Sequence, residues 1–124
     1  RSLLSKNLKA DLFISLHCNA STVFSKGLEV YVHNSHDEKV FIKESIALGL
    51  SILEESAQQL GFKKRGIQFA NFQVLRENTT CCPSILIEMG FVTNTDEADH
   101  FLVPKNIRAM ALAILMGVYN YFNI

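Results

Sequence analysis

The chain has 124 residues, enough for one domain around one core, and with 48% hydrophobic residues it is too apolar to be disordered. Twelve basic residues balance twelve acidic ones, which removes the electrostatic case for a general nucleic-acid or membrane-surface binder. The longest apolar run, residues 109–119, is too short to span a bilayer, no signal peptide is visible, and three cysteines (Cys18, Cys81, Cys82) without a C-x-x-C pair leave the compartment open.

Residues 1–9 read as the end of a helix, with Leu4 and Leu8 on one face. Residues 11–16 read as a buried strand that ends in His17-Cys18-Asn19. Residues 27–32 alternate, Leu28, Val30 and Val32 against Glu29 and Tyr31, which suits an edge or half-exposed strand. Ser35 to Glu38 has capping-box spacing and predicts a helix start. That helix carries Ile42, Ile46, Leu50 (or Gly49), Leu53, Ala57 and Leu60 on its apolar face and stops at Gly61. Residues 62–66 form a basic loop, residues 72–77 a short strand, and residues 78–82 a loop before Pro83. Ser84 to Ile87 reads as a strand buried on both faces, because Ile85-Leu86-Ile87 has no polar alternation. Asn94 and Glu97 have the spacing to cap a short helix to Leu102. Pro104 suits the first turn of a last helix with Ile107, Ala111, Ile114, Val118 and Phe122 towards the core. Strands alternating with helices indicate an α/β fold with a mixed, mostly parallel sheet flanked by helices, in a single domain over residues 1–124.

Glu88 follows the apolar strand directly. An unpaired carboxylate there costs several kcal/mol or takes a raised pKa, so it reads either as half of a salt bridge or as a general acid/base at a strand's carboxyl end. His17 ends the other apolar strand in the same way. If the two strands run parallel side by side, both side chains lie at one sheet edge, and His17 reads as a metal ligand rather than a structural histidine. Cys18 faces away from His17 along a strand and reads as packing, not as half of a dyad. His33 and His36 read as solvated loop residues. The basic loop is either a solvated turn or an anion clamp, with Arg65 best suited to a carboxylate.

The stretch Ala-Asp-Leu-Phe-Ile-Ser-Leu-His-Cys-Asn-Ala (residues 10–20) resembles the zinc-histidine segment of zinc-dependent N-acetylmuramoyl-L-alanine amidases of the family-3 type. Pro-Ser-Ile-Leu-Ile-Glu-Met-Gly-Phe-Val-Thr-Asn (residues 83–94) resembles the catalytic-glutamate segment of the same family. Gly-Leu-Glu-Val-Tyr-Val (27–32), Arg65-Gly66 and Val-Leu-Arg-Glu (74–77) fall where that family has matching stretches. The resemblance implies a bacterial cell-wall hydrolase of the zinc amidase/exopeptidase-like fold that cuts the amide between N-acetylmuramic acid and L-alanine in peptidoglycan. It implies zinc as cofactor, His17 as one of its ligands, Glu88 as the proton carrier, and Arg65 and Asn19 as substrate-binding residues. It implies a muropeptide partner and a periplasmic, cell-envelope or secreted location. The family's first histidine and its zinc glutamate belong to an upstream strand-loop-helix segment, so the chain reads as the C-terminal portion of a catalytic domain, weak in metal and activity alone and prone to self-association through an open edge. Two alternatives remain: a metal-free cell-wall binding or regulatory module, and a related zinc peptidase.

Overall fold

A computed structural model describes residues 4–37 and 39–123. Their elements are α1 (Leu4–Leu8), β1 (Phe13–Asn19), β2 (Leu28–His33), α2 (Ile42–Leu60), β3 (Lys64–Ala70), α3 (Gln73–Asn78), β4 (Ser84–Phe91), α4 (Thr95–His100) and α5 (Pro104–Phe122). The four strands form one sheet in the order β1-β4-β2-β3. The pairs β1–β4 and β2–β3 are parallel, and β2–β4 is antiparallel. The expected mixed, mostly parallel α/β sheet is what the chain forms.

One sheet face is apolar. Leu28, Val30 and Val32 of β2 and Ile85 and Ile87 of β4 join Leu48, Ile52 and Leu53 of α2 and Met110 and Ile114 of α5 in a single core. Burying one such side chain is worth about 1.5–3 kcal/mol. Helix α2 lies over β2, β3 and β4, and α5 lies along α2. The two helices meet at Gly117, where an added Cβ would stand 2.6 Å from Ile52 Cα. Ser51 Oγ donates to Gly117 O at 2.6 Å across the same contact. No described helix is long and apolar enough to cross a membrane.

Several sequence expectations change. Strand β2 is interior and buried, not an edge, because Glu29 finds partners on the second sheet face. Strand β1, expected to be buried, is an edge, with Leu16 54% exposed. The basic loop gives way at Lys64 to strand β3, where Ile67 and Phe69 alternate with Gly66 and Gln68. Residues 73–78 are helical, not a strand. Gln, Leu, Arg and Glu are good helix formers, Leu75 is buried, and Asn78 Nδ2 donates back to Val74 O.

Helix α2 starts at Ile42, later than the capping box implied. Ser35 and Asp37 instead accept from the backbone two residues on, as turn residues do, and Glu38 lies outside the described residues. Its core face runs through Ser45, Leu48, Gly49, Ile52, Leu53 and Ser56, with Leu50 outside and Gly61 as the left-handed stop. In α5 the buried positions are Met110, Ala113, Ile114 and Gly117, and Val118 packs against that core; Ile107 and Phe122 face out. In α1 the buried residue is Ser5, bonded to Asn78, whereas Leu4 and Leu8 are exposed. Residues 1–3 lie outside the described residues.

Candidate active site

The carboxyl ends of β1 and β4 and the amino ends of β2 and β3 meet at one end of the sheet. The register sets His17 of β1 directly beside Glu88 of β4, and Glu88 directly beside Glu29 of β2. Residues opposite one another in a sheet point to the same face, so the three form a row on the face away from the α2–α5 core. Arg65 of β3 closes the row: its Nε donates to Glu29 Oε2 at 3.2 Å. The condition on which His17 and Glu88 share one sheet edge is met, since β1 and β4 pair in parallel.

Both ends of this row are bulged. Between the His17–Glu88 and Asn19–Phe91 pairs β4 advances one residue more than β1, and between the Leu28–Lys64 and Glu29–Gly66 pairs β3 advances one more than β2. Bulges re-aim side chains next to functional sites. The β4 bulge needs Gly90, whose φ is +149° and whose missing Cβ leaves room for the Phe101 ring and for Glu97 Oε1. Glu97 receives the Gly27 amide at 2.9 Å and the Phe91 amide at 2.9 Å, tying the start of β2 to the end of β4. Asn94 caps α4 as expected by accepting from the Glu97 amide, but the Glu97 carboxylate serves the strands rather than completing a capping box. The loop between β1 and β2 is fastened to the same region through Ser21 to Thr93 and Asn94 to Val23.

Glu88 is half-buried, and its Oε2 makes no hydrogen bond among the described residues. Burial pushes its carboxyl above the usual carboxylate range; the His17 ring opposes the rise and the Glu29 carboxylate adds to it. His17 is exposed and shares a hydrogen bond between Nε2 and Ser15 Oγ at 2.9 Å. Glu29 is only 4% exposed and fully engaged: it takes Asn19 Nδ2 at 2.7 Å, Arg65 Nε and the Tyr31 hydroxyl at 3.4 Å. The Tyr31 phenol is pushed up by burial and by Glu29, and its ring stands edge-on to Phe72. Asn19 is held at both ends, since its Oδ1 accepts from the Ala20 amide.

The four residues singled out from sequence, His17, Asn19, Arg65 and Glu88, thus converge. Glu29, Tyr31, Ser15 and Glu97 were missed. A charged residue inside the apolar run from Leu28 to Val32 was the available signal for Glu29, because a buried carboxylate demands partners. Cys18 is exposed, contrary to its expected packing role, because it lies at the bulged end of the edge strand. His33 is buried at the far end of β2, not in a loop, while His36 is exposed and His100 meets Phe62 and Phe101 edge to face.

Among the described residues, no group of three or more His, Cys, Asp or Glu is placed to hold a metal ion. A catalytic zinc needs three protein ligands. His17 offers one imidazole, and the Glu29 carboxylate is already spent on Asn19, Arg65 and Tyr31. The donor set on these residues does not complete a zinc site.

Residues 1–120 match the sequence profile of a family described as N-acetylmuramoyl-L-alanine amidase. The chain belongs to that amidase family. It is 31% identical over 120 residues to an uncharacterised cell wall amidase of Bacillus anthracis, covering 95% of this chain and 22% of the relative. It is 33% identical over 115 residues to the N-acetylmuramoyl-L-alanine amidase CwlM of Bacillus licheniformis, covering 93% of this chain and 42% of CwlM. The solved N-acetylmuramoyl-L-alanine amidase of Clostridium difficile 630 superposes with a TM-score of 0.86 at 30% identity, over 98% of this chain and 63% of that one. The chain therefore spans less than two thirds of each of these amidases.

Proposed function

We propose that the protein hydrolyses the amide between the lactyl group of N-acetylmuramic acid and the L-alanine that begins the stem peptide. The observation that carries this is Glu88: a half-buried carboxylate with one unpartnered oxygen and a raised proton affinity, level with His17 in the carboxyl-terminal half of a central strand. Such a group suits proton transfer. As water adds to the amide carbonyl carbon, Glu88 Oε2 takes one of its protons. As the C–N bond breaks, Glu88 passes that proton to the leaving nitrogen. The products are a lactyl carboxylic acid and a peptide with a free α-amine.

Ser15 orients the His17 ring. Zinc, which the family resemblance implies, would take His17 as one ligand and needs donors beyond the set described above; no step here runs through it. We propose that these donors belong to a further segment of a longer catalytic domain, a reading supported by the 63% coverage of the solved Clostridium difficile amidase. Action in the cell envelope or outside the cytoplasm is supported by relatives named cell wall amidases. The incomplete donor set favours one competing reading, a metal-free wall-binding module.

The test is mass spectrometry of a purified muropeptide after incubation with the full-length protein and zinc. Separation into an intact glycan and an intact stem peptide is the expected result. Cuts within the peptide indicate a peptidase, and binding without cleavage indicates the module; either overturns the proposal.

A further inference from the structure

Arg65 is more constrained than an edge-strand arginine needs to be. Its Nε is bonded to the buried Glu29, its Nη1 reaches Lys26 O at 3.4 Å, and its guanidinium carbon lies 4.9 Å from the centre of the Phe91 ring. Three elements thus fix the plane of the group: β2, the loop before it, and the end of β4. Yet the side chain is still 33% exposed, and Nη2 has no partner among the described residues. An arginine that served only to neutralise Glu29 would present its fork to that carboxylate with two parallel bonds. Here it offers Nε alone, and the terminal nitrogens are left to the solvent-facing side.

We infer that Glu29 is a positioning residue which holds Arg65 as the receptor for a free carboxylate on the stem peptide, on the leaving-group side of the cleaved amide. The inference rests on the functional reading given above. Arg65 lies on the second strand over from Glu88, about 10 Å away at roughly 4.8 Å per strand. An extended peptide advances about 3.3–3.6 Å per residue. A carboxylate two or three residues beyond the cleaved bond therefore reaches Arg65 while the amide sits at Glu88. Neutral Asn19 cannot do this in its place, since both ends of its amide are held inside the chain. A carboxamide at the same ligand position keeps its shape but loses the charge-assisted bond.

The experiment compares two muropeptides that differ only in one group, a free carboxylate or its carboxamide on the second or third residue. Dissociation constants are measured by calorimetry for the purified full-length protein under conditions that block turnover, and kcat/KM is measured separately. The wild type is expected to prefer the acid about 10- to 100-fold, the range of a hydrogen bond between charged groups. In Arg65→Ala the preference collapses towards one. Glu29→Ala, which frees the guanidinium, is expected to lower the preference roughly fivefold to tenfold by weakening binding of the acid, read from the dissociation constants. A purely structural Glu29 would weaken acid and amide alike. Circular dichroism establishes that each variant is folded, and Arg65→Gln, which keeps a polar side chain without the charge, serves if Arg65→Ala is not. Equal affinity of the wild type for acid and amide, or an unchanged ratio in the folded arginine variant, overturns the inference. Because affinity is read without turnover, a protein that selects the acid but cleaves neither peptide upholds the inference and refutes the amidase reading.

Discussion

Replacing Glu88 by glutamine separates catalysis from folding. The two side chains have the same shape, and Glu88 Oε2 has no hydrogen bond to lose. General acid–base catalysis contributes about 10²–10⁴-fold, so the full-length Glu88→Gln protein is expected to lose about 3–5 kcal/mol of transition-state stabilisation. Folding responds in the opposite sense. Burial and Glu29 raise the proton affinity of the folded Glu88 carboxyl. Its stabilising contribution is therefore complete below the ordinary carboxylate range, near pH 4, and is lost as pH rises through the higher folded value. Glutamine is neutral throughout. The variant should melt above the wild type at pH 7–8, with the gap closing towards pH 4. Muropeptide cleavage is followed by chromatography of the released peptide, and melting by circular dichroism across that pH range. Turnover within tenfold of the wild type would refute the assignment of Glu88. A melting difference that did not change between pH 4 and pH 8 would refute the account of its environment.

The 124-residue chain is expected to bind no zinc tightly at micromolar metal, because His17 is the single free imidazole of the row; tight one-to-one calorimetric binding that vanishes in His17→Ala would mean that other ligands complete the site. Gly117→Ala is expected to cost about 1–3 kcal/mol by forcing α5 off Ile52, measured by urea unfolding. Gly61→Ala, which meets no atom within 4 Å but keeps a φ of +71°, should cost less, and equal losses would contradict the packing argument. The chain should self-associate through the outer edge of β1, where Leu16 is exposed, and Leu16→Lys should reduce this. A compact wild-type monomer in sedimentation would count against it.

Much of this architecture was legible because two strands lacked polar alternation and each ended in an ionisable residue. That pattern places His17 and Glu88 at one sheet end on the condition of parallel pairing, which β1 and β4 meet. What could not be read was the order of strands in the sheet. Alternation in residues 28–32 looks like a half-exposed strand when Glu29 is assumed to face water. Only the arrival of Asn19 and Arg65, from β1 and β3, makes its burial tolerable. Those partners lie 10 and 36 positions away, beyond any local pattern. The α2 face was read largely as it packs, with Gly49 rather than Leu50 on the core side. The α5 face was misread at Ile107, Ala111 and Phe122, which are exposed, because Gly117 marks the line of close approach and a glycine adds nothing to an apolar count. The Phe72–Glu77 segment was ambiguous because six residues are too few to establish a period.

Among the described residues, strand β1 joins the sheet through β4 alone. It contributes His17, Ser15 and Asn19, yet the residues of the central cluster lie on β2, β4, α2 and α5. Peeling β1 from β4 would part His17 from Glu88 and uncover the side of the cluster that Ile14 packs against, while β2, β4, α2 and α5 keep their mutual contacts. The pairing of His17 with Glu88 therefore has its own opening equilibrium, shallower than global unfolding. Backbone amides of residues 13–19 should exchange with solvent sooner than those of 84–91. On gradual heating of the full-length protein, muropeptide cleavage should fade while the helical signal is still intact, and it should return on cooling without a refolding phase.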